Sequence, residues 1–159
     1  MIEPWGPGNL ELLRGLLCDP AMMEHLGGPE TEERIAKRQA DYERPGSGQF
    51  RIVDAASRAG AGWVGYWERE WRGEQVFEIG WSVLPRFQGR GLASESARLA
   101  LAEIDGGLRY VYAFPAVDNA PSNGICRKLG FEHLGTCDFD YPEGHLMQCA
   151  EWRFDLHAQ

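Results

Sequence analysis

No stretch of this 159-residue chain comes near the ~18 consecutive apolar residues that a membrane-crossing helix needs, so no transmembrane span is expected. Paired cysteine spacings are missing as well. Cys18, Cys126, Cys137 and Cys149 form no Cys-x-x-Cys unit and have no histidines at zinc-ligand intervals, which speaks against both a metal centre and a disulfide framework. Reduced thiols are the expectation. Basic residues are outnumbered, 16 Lys and Arg against 24 Asp and Glu, giving a formal charge of -8. On average such a surface repels nucleic acid and acidic membranes and attracts cationic partners. The Met1-Ile2-Glu3-Pro4 start has neither the basic flank nor the apolar centre of a secretory leader, so a cytoplasmic location is expected. Internal repeats and low-complexity tracts are also lacking. With 43% hydrophobic residues, the length suits one domain over residues 1–159.

What is present is a change of hydrophobic period along the chain. Leucines at helical spacing predict a first helix over residues 9–17, stopped by Asp19-Pro20. Thr31 followed by Glu32-Glu33 predicts an N-cap and an acidic first turn for a second helix to about Tyr42, ended by Pro45-Gly46-Ser47-Gly48. Then the pattern alternates. Residues 50–54, 63–71 and 75–84 predict an antiparallel meander, with a hairpin turn at Arg72-Gly73-Glu74. An Ala-rich helix over 93–104 separates these strands from a buried strand at 108–114, an order that favours a parallel pair joined by a right-handed crossover. A helix over 119–128, stopped by Gly130, and two strands at 132–140 and 146–156 complete the reading.

The most informative segment is Gln88-Gly89-Arg90-Gly91-Leu92-Ala93. It follows the strand Glu78-Ile79-Gly80-Trp81-Ser82-Val83-Leu84 and leads straight into the Ala-rich helix. Two glycines let the backbone turn tightly and approach a ligand, while the unpaired amides and positive dipole end of the new helix favour an anion such as a pyrophosphate. The Lys-Ser/Thr pair of a P-loop is missing, which argues against nucleotide hydrolysis. Gly60-Ala61-Gly62-Trp63-Val64-Gly65 matches the dinucleotide pattern G-x-G-x-x-G, but Tyr66-Trp67 continues a strand where that fingerprint requires a helix. Those glycines are read as a turn plus one strand position where bulk is unwelcome.

The Gln88-x-x-Gly91-x-Ala93 element after a strand, with Asn119-x-x-Ser122 and Lys128-Leu129-Gly130-Phe131 further on, resembles the GNAT superfamily of acetyl-CoA-dependent N-acetyltransferases. Leu26-Gly27-Gly28-Pro29, the 78–84 strand, Asn119-Ala120-Pro121-Ser122 and the ending from Gly144 to Asp155 are similar to the branch containing the ribosomal-protein N-terminal acetyltransferases. The resemblance covers nearly the whole chain. It implies an α/β (α+β) GNAT fold: a mixed, mostly antiparallel sheet of 6–7 strands with about four helices, splayed at the strand 4/5 junction. It also implies that the fourth strand parts from its neighbour at a bulge and that Trp81, Ser82 and Val83 pair with the pantetheine arm of acetyl-CoA. Val83 would polarise the thioester carbonyl. Gly89, Arg90, Gly91, Leu92, Ala93 and Ser94 would supply the pyrophosphate amides, Gln88 is counted with them as coenzyme-binding, and Asn119 would hydrogen-bond the pantetheine. Arg86, Arg90 and Arg127 would either add charge for the nucleotide end or form a solvated face.

The implied chemistry is direct attack of a neutral amine on the thioester in a ternary complex. A primary amine near pKa ~10 is mostly protonated at neutral pH, so one group must accept its proton and another must stabilise the departing thiolate. Glu78 is the first choice as base, against the alternative of an exposed strand carboxylate. Tyr112, Asp118, Asp138, Asp140, Tyr141 and His145 are weaker candidates. The tyrosine acid of many GNAT enzymes would fall at Cys126, a departure that leaves either a small buried side chain or a thiol near the coenzyme sulfur. Ser122 takes the acid role that the ribosomal branch assigns to its serine, or else caps the helix or binds coenzyme. Relatives with a carboxylate before Asn119 have Phe114 as the counterpart here, so protein N-terminal specificity does not follow.

The acceptor cleft is expected between the two N-terminal helices and the Phe139-Asp140-Tyr141-Pro142 turn, with Trp5, Trp67, Trp71, Asp138 and Asp140 suiting an amine with apolar surface. The leading reading is a small-molecule amine N-acetyltransferase. A peptide α-amine acetyltransferase and a non-catalytic CoA-binding module are the alternatives. No metal, nucleic acid or membrane partner is expected, and monomer and homodimer remain equally open.

Overall fold

The computed structural model describes residues 1–18, 22–23, 30–140, 144 and 146–158, with Asp140 described by its backbone alone. The Leu26-Gly27-Gly28-Pro29 motif, Tyr141, His145 and the Asp140 side chain therefore lie outside the described residues. In chain order the elements are β1 Ile2–Pro4, α1 Leu10–Cys18, α2 Glu32–Glu43, β2 Gln49–Val53, β3 Gly60–Trp71, β4 Glu74–Val83, α3 Leu92–Glu103, β5 Tyr110–Ala113, α4 Ala120–Lys128, β6 Glu132–Asp140 and β7 Leu146–Asp155. The strands form a seven-stranded sheet in the order β1-β2-β3-β4-β5-β7-β6. Every neighbouring pair is antiparallel except β4 and β5, which are parallel across the α3 crossover. The mixed sheet and its splay follow the sequence expectation. No described helix is long and apolar enough to cross a membrane.

Local chemistry sets the helix starts. The Thr31 hydroxyl accepts from the Arg34 amide, and Asn119 Oδ1 accepts from the Ser122 amide with Pro121 in the first turn, so α2 and α4 begin where a capping side chain relieves an unpaired amide. Sequence reasoning missed β1, a three-residue edge strand paired Ile2↔Ile52 to Pro4↔Phe50. Pro4 is tolerated there because an edge strand has one side that needs no donor.

The Gly60-to-Gly65 segment is strand throughout and opens β3, so the expected turn at its first glycines is not formed. A Cβ on Gly62 would overlap the Ser82 carbonyl oxygen, and one on Gly65 would overlap the Gln49 side-chain amide. Bulk is therefore excluded at two strand positions rather than one. The main core gathers Val64 of β3, Phe77 and Ile79 of β4, Val111 of β5 and Trp152 of β7 with Ala97 and Ala100 of α3 and Cys126 of α4. Alanines on the buried stripe of α3 bring that helix close to the sheet. A second cluster, Trp5, Leu13 and Ile35, lies beneath α1 and α2.

The β4–β5 pairing is short and decides where a ligand can enter. It consists of Phe77↔Val111 and Glu78↔Tyr112. Beyond Tyr112 the chain leaves β4 but stays with β7, which pairs with it from Tyr110 to Ala113 and onward, the Ala150 amide donating to Pro115 O at 2.8 Å and the Val117 amide to Gln148 O at 3.1 Å. Meanwhile β4 stays in register with β3 from Glu74 to Val83 without a shift. The expected bulge is thus replaced by a divergence of β5, and one side of residues 79–83 is left unpaired by it.

Candidate active site

The phase of the β3–β4 ladder identifies which main-chain groups face the splay. The Leu84 amide donates to Ala61 O at 2.8 Å, and backbone groups alternate sides along an antiparallel strand. Ser82 and Gly80 therefore turn toward β3, while Trp81 and Val83 turn toward the gap. Of the three residues expected to offer main chain to a pantetheine arm, Ser82 is corrected: its amide and carbonyl belong to the sheet. The Val83 carbonyl accepts from Gln88 Nε2 at 2.9 Å, which ties the glycine turn to the end of β4 and leaves the Val83 amide facing the gap.

At the turn itself Gly89 (φ 78°) and Gly91 (φ 75°) both occupy the left-handed region, and Gly91 stands at the N-cap of α3 with no side-chain cap bond. A capping Ser or Asp would have closed the first amides; glycine leaves them available. Ser94 Oγ lies 3.2 Å from Gly91 O and accepts from Lys128 Nζ at 3.4 Å. Lys128 is thus a cation beside the turn that the sequence did not single out, since only the fold brings α4 next to the start of α3. Arg90 is exposed, lies 5.6 Å over the Phe87 ring and stands 3.9 Å from Asp54. Arg86 also stacks on Phe87, and Arg127 lies over Trp152.

Across the gap, Trp81 Nε1 donates to Ser122 Oγ at 3.3 Å, so the indole spans from β4 to the first turn of α4. Ser122 accepts there and keeps its own proton to donate. Cys126, at the position of the common tyrosine, is fully buried, and burial pushes its thiol up to about 12. It packs in the core and is not part of the cleft wall.

Glu78 forms the floor. Its side chain is 15% exposed and accepts from Arg69 Nη1 at 2.5 Å. Burial raises its pKa above the ordinary carboxylate value, and the Arg69 guanidinium opposes that rise. Glu78 and the glycine turn share one cleft of about 1630 Å³, whose lining also includes Gly80, Trp81, Ser82, Val83, Asn119 and Ser122. Of the turn residues, Gln88, Gly89, Gly91, Leu92, Ala93 and Ser94 face it, whereas the Arg90 side chain is turned to Phe87 and Asp54. The end of the cleft where the acceptor is expected is aromatic: Tyr42 stacks on Trp63 (5.8 Å, 6°) and Trp63 on Trp67 (6.2 Å, 23°), and Phe114 and Phe139 also line it. Trp5, Trp71 and Asp138 do not line it. Trp5 is buried with Nε1 donating to Gln39, Trp71 donates to Glu151, and Asp138 is exposed on β6. Tyr112 is buried beside Glu78 on β5, and Asp118 lies on the cleft wall.

Uncapped helix amides under a two-glycine turn, at the end of a strand that parts from its parallel neighbour, make a slot with anion donors at one end and strand-like donors along its side. Residues 1–132 match the acetyltransferase (GNAT) domain. The chain belongs to that family. An uncharacterized N-acetyltransferase of Bacillus subtilis (strain 168), YnaD, is 32% identical over 77 residues, which cover 46% of this chain and 44% of that relative. The chain thus spans less than half the length of the curated relative it matches. Among solved structures, a GNAT-family acetyltransferase from Bacillus anthracis superposes with a TM-score of 0.77 at 21% identity, covering 97% of this chain and 93% of that one. The spermidine N-acetyltransferase from Vibrio cholerae in complex with CoA and spermine gives a TM-score of 0.77 at 17% identity, covering 98% and 94%. At such identities these structures attest the GNAT fold.

Proposed function

We propose that this GNAT chain, acting as one catalytic domain over residues 1–159, transfers the acetyl group of acetyl-CoA to the primary amine of a small molecule by direct attack in a ternary complex. The observation that carries the reading is the continuity of the cleft, which runs from the uncapped amides of α3, along the open side of β4, to a buried carboxylate under aromatic walls. The diphosphate matches the amides from Gly89 to Ser94 with Lys128 nearby, and the amide-bearing arm matches Trp81, Val83 and Asn119. The acetyl carbonyl would then lie at the Val83 amide.

In the proposed chemistry Glu78 takes one proton from the incoming ammonium and releases it to solvent after turnover. The free amine attacks the acetyl carbon, the C–S bond breaks as Ser122 delivers its proton to the departing sulfur, and the second nitrogen proton passes through solvent to restore the Ser122 hydroxyl. Cys126, with a thiol pushed up to about 12 and buried in the core, holds no place in that sequence. The aromatic lining and net negative charge favour a cationic amine with apolar surface. That the Vibrio cholerae neighbour was solved with spermine accords with an amine acceptor of this kind.

Measuring thiol release from acetyl-CoA across a panel of small amines and peptide α-amines, with E78Q and S122A beside wild type, tests the proposal. Acetylation of small amines with both variants slowed supports it. A fast enzyme indifferent to both substitutions contradicts the assigned roles, and coenzyme binding with no acetylated amine contradicts the activity.

A further inference from the structure

We infer that Arg69 is a positioning residue for Glu78: from behind the cleft wall its guanidinium fixes the direction of the carboxylate that faces the cleft, without touching either substrate. The inference rests on reading Glu78 as the general base. Arg69 belongs to β3, where Trp67 is the register partner of Glu78 and Arg69 sits one same-face position further along. From there its Nη1 donates to Glu78 Oε1 at 2.5 Å, and its Nε donates to Glu70 O at 3.3 Å. Glu78 lines the cleft and Arg69 does not.

The unusual feature is how the guanidinium is held. Its carbon lies 5.3 Å from the Trp71 ring centre, 5.5 Å from Phe114 and 4.9 Å from Phe139, so aromatic faces from β3, the end of β5 and β6 enclose it. Each contact is a cation–π attraction, and together they fix a side chain that would otherwise lose rotamer freedom on forming an ion pair. A planar guanidinium can stack and donate in its own plane at once; an ammonium cannot. The enclosure therefore aims one N–H at Glu78 and restrains the carboxylate that faces the cleft.

The charges around the pair leave Arg69 as the partner that matters. Tyr112 of β5 is the register mate of Glu78, and Cys149 of β7 and Cys137 of β6 lie close enough to sense Glu78 and Arg69 respectively. Glu151 of β7 is held by Trp71 and Arg72. Across the cleft on the α2 side, Glu30 pairs with Arg34 and Arg38, and Lys37 with Asp41. Among the described residues, the cation bonded to Glu78 is Arg69. Removing it leaves burial unopposed, so the acid limb of kcat/KM moves to higher pH.

The experiment is the pH profile of kcat/KM for wild type, R69M, R69K and E78Q with an acceptor that turns over. R69M, whose thioether chain still fills the aromatic enclosure, should shift the acid limb up by about one unit or more. Its rate should fall at least tenfold below the wild-type limb and recover in part at high pH, with KM for acetyl-CoA unchanged. R69K, which keeps a cation, should hold the limb near its wild-type position at reduced kcat. An R69M limb that coincides with wild type, or a loss of equal size at every pH, would overturn the inference and leave Arg69 a packing residue. If R69M does not fold, R69Q carries the same test. E78Q separates the two levels: a wild-type profile in E78Q overturns the base assignment and this inference together, whereas a slow E78Q beside an unshifted R69M overturns this inference alone.

Discussion

Glu78 and Cys126 show how one physical term, burial, separates two candidates for proton transfer. Burial raises the carboxylate from its ordinary value, and the Arg69 guanidinium opposes that rise. The thiol is raised to about 12 with no partner to oppose burial strongly, so it stays protonated and inert. E78Q should lower kcat/KM by about 10²- to 10⁴-fold with coenzyme affinity by calorimetry unchanged. In wild type the acid limb should lie above the ordinary carboxylate range, because a raised pKa means that activity is lost as pH falls through that higher value. C126A should keep the pH profile and lower Tm, since it leaves a void in the core; a displaced limb in that variant would restore the thiol to the chemistry. The position of Glu78 in the cleft was legible from its place on the strand before the glycine turn. Arg69 was not, because alternation in 63–71 assigns it a face but names no partner on β4. Trp5 and Trp71 were misread for the same reason: aromatic content cannot separate a core indole from one on a cleft wall.

Helix caps and hairpins are local devices, and they read well in the sequence. Thr31, Asn119 and the Arg72-Gly73 turn mark element ends within one or two residues of the structure. Less local features did not show. The three residues of β1 form a strand only because β2 offers an edge, and the parity that removes Ser82 from the gap depends on the ladder with β3. The glycine turn stands between these cases, since its composition was visible while its lack of a capping bond needed coordinates. Open space surrounds Gly91, so a side chain there meets no obstacle but must adopt a strained φ of 75°. G91A isolates the strain, and G91E adds charge at the diphosphate position. Calorimetry should find coenzyme binding to G91E weaker by about 100-fold or more, ~3 kcal/mol, with a much smaller loss in G91A. Equal affinities for wild type and G91E would remove the diphosphate from this turn.

At the scale of the whole molecule, β5 parts from β4 after two paired residues while staying paired with β7 on its other edge, and this divergence creates the slot. It places α3 amides, the open side of β4 and the start of α4 around one volume, with Glu78 at the junction where pairing ends. Strand-helix-strand order in the sequence foretold the parallel pair, though not how soon it ends, because the path of β5 away from β4 depends on its long-range pairing with β7 on the other edge. The central claim is that acetyl-CoA lies in this slot with its acyl group above Glu78. A crystal structure of the protein grown with CoA tests it most directly. The account predicts the diphosphate on the amides from Gly89 to Ser94, the pantetheine amides paired with Trp81 and Val83, and the sulfur between Ser122 and Glu78; a coenzyme bound elsewhere, with this slot closed by the protein's own side chains, would contradict it.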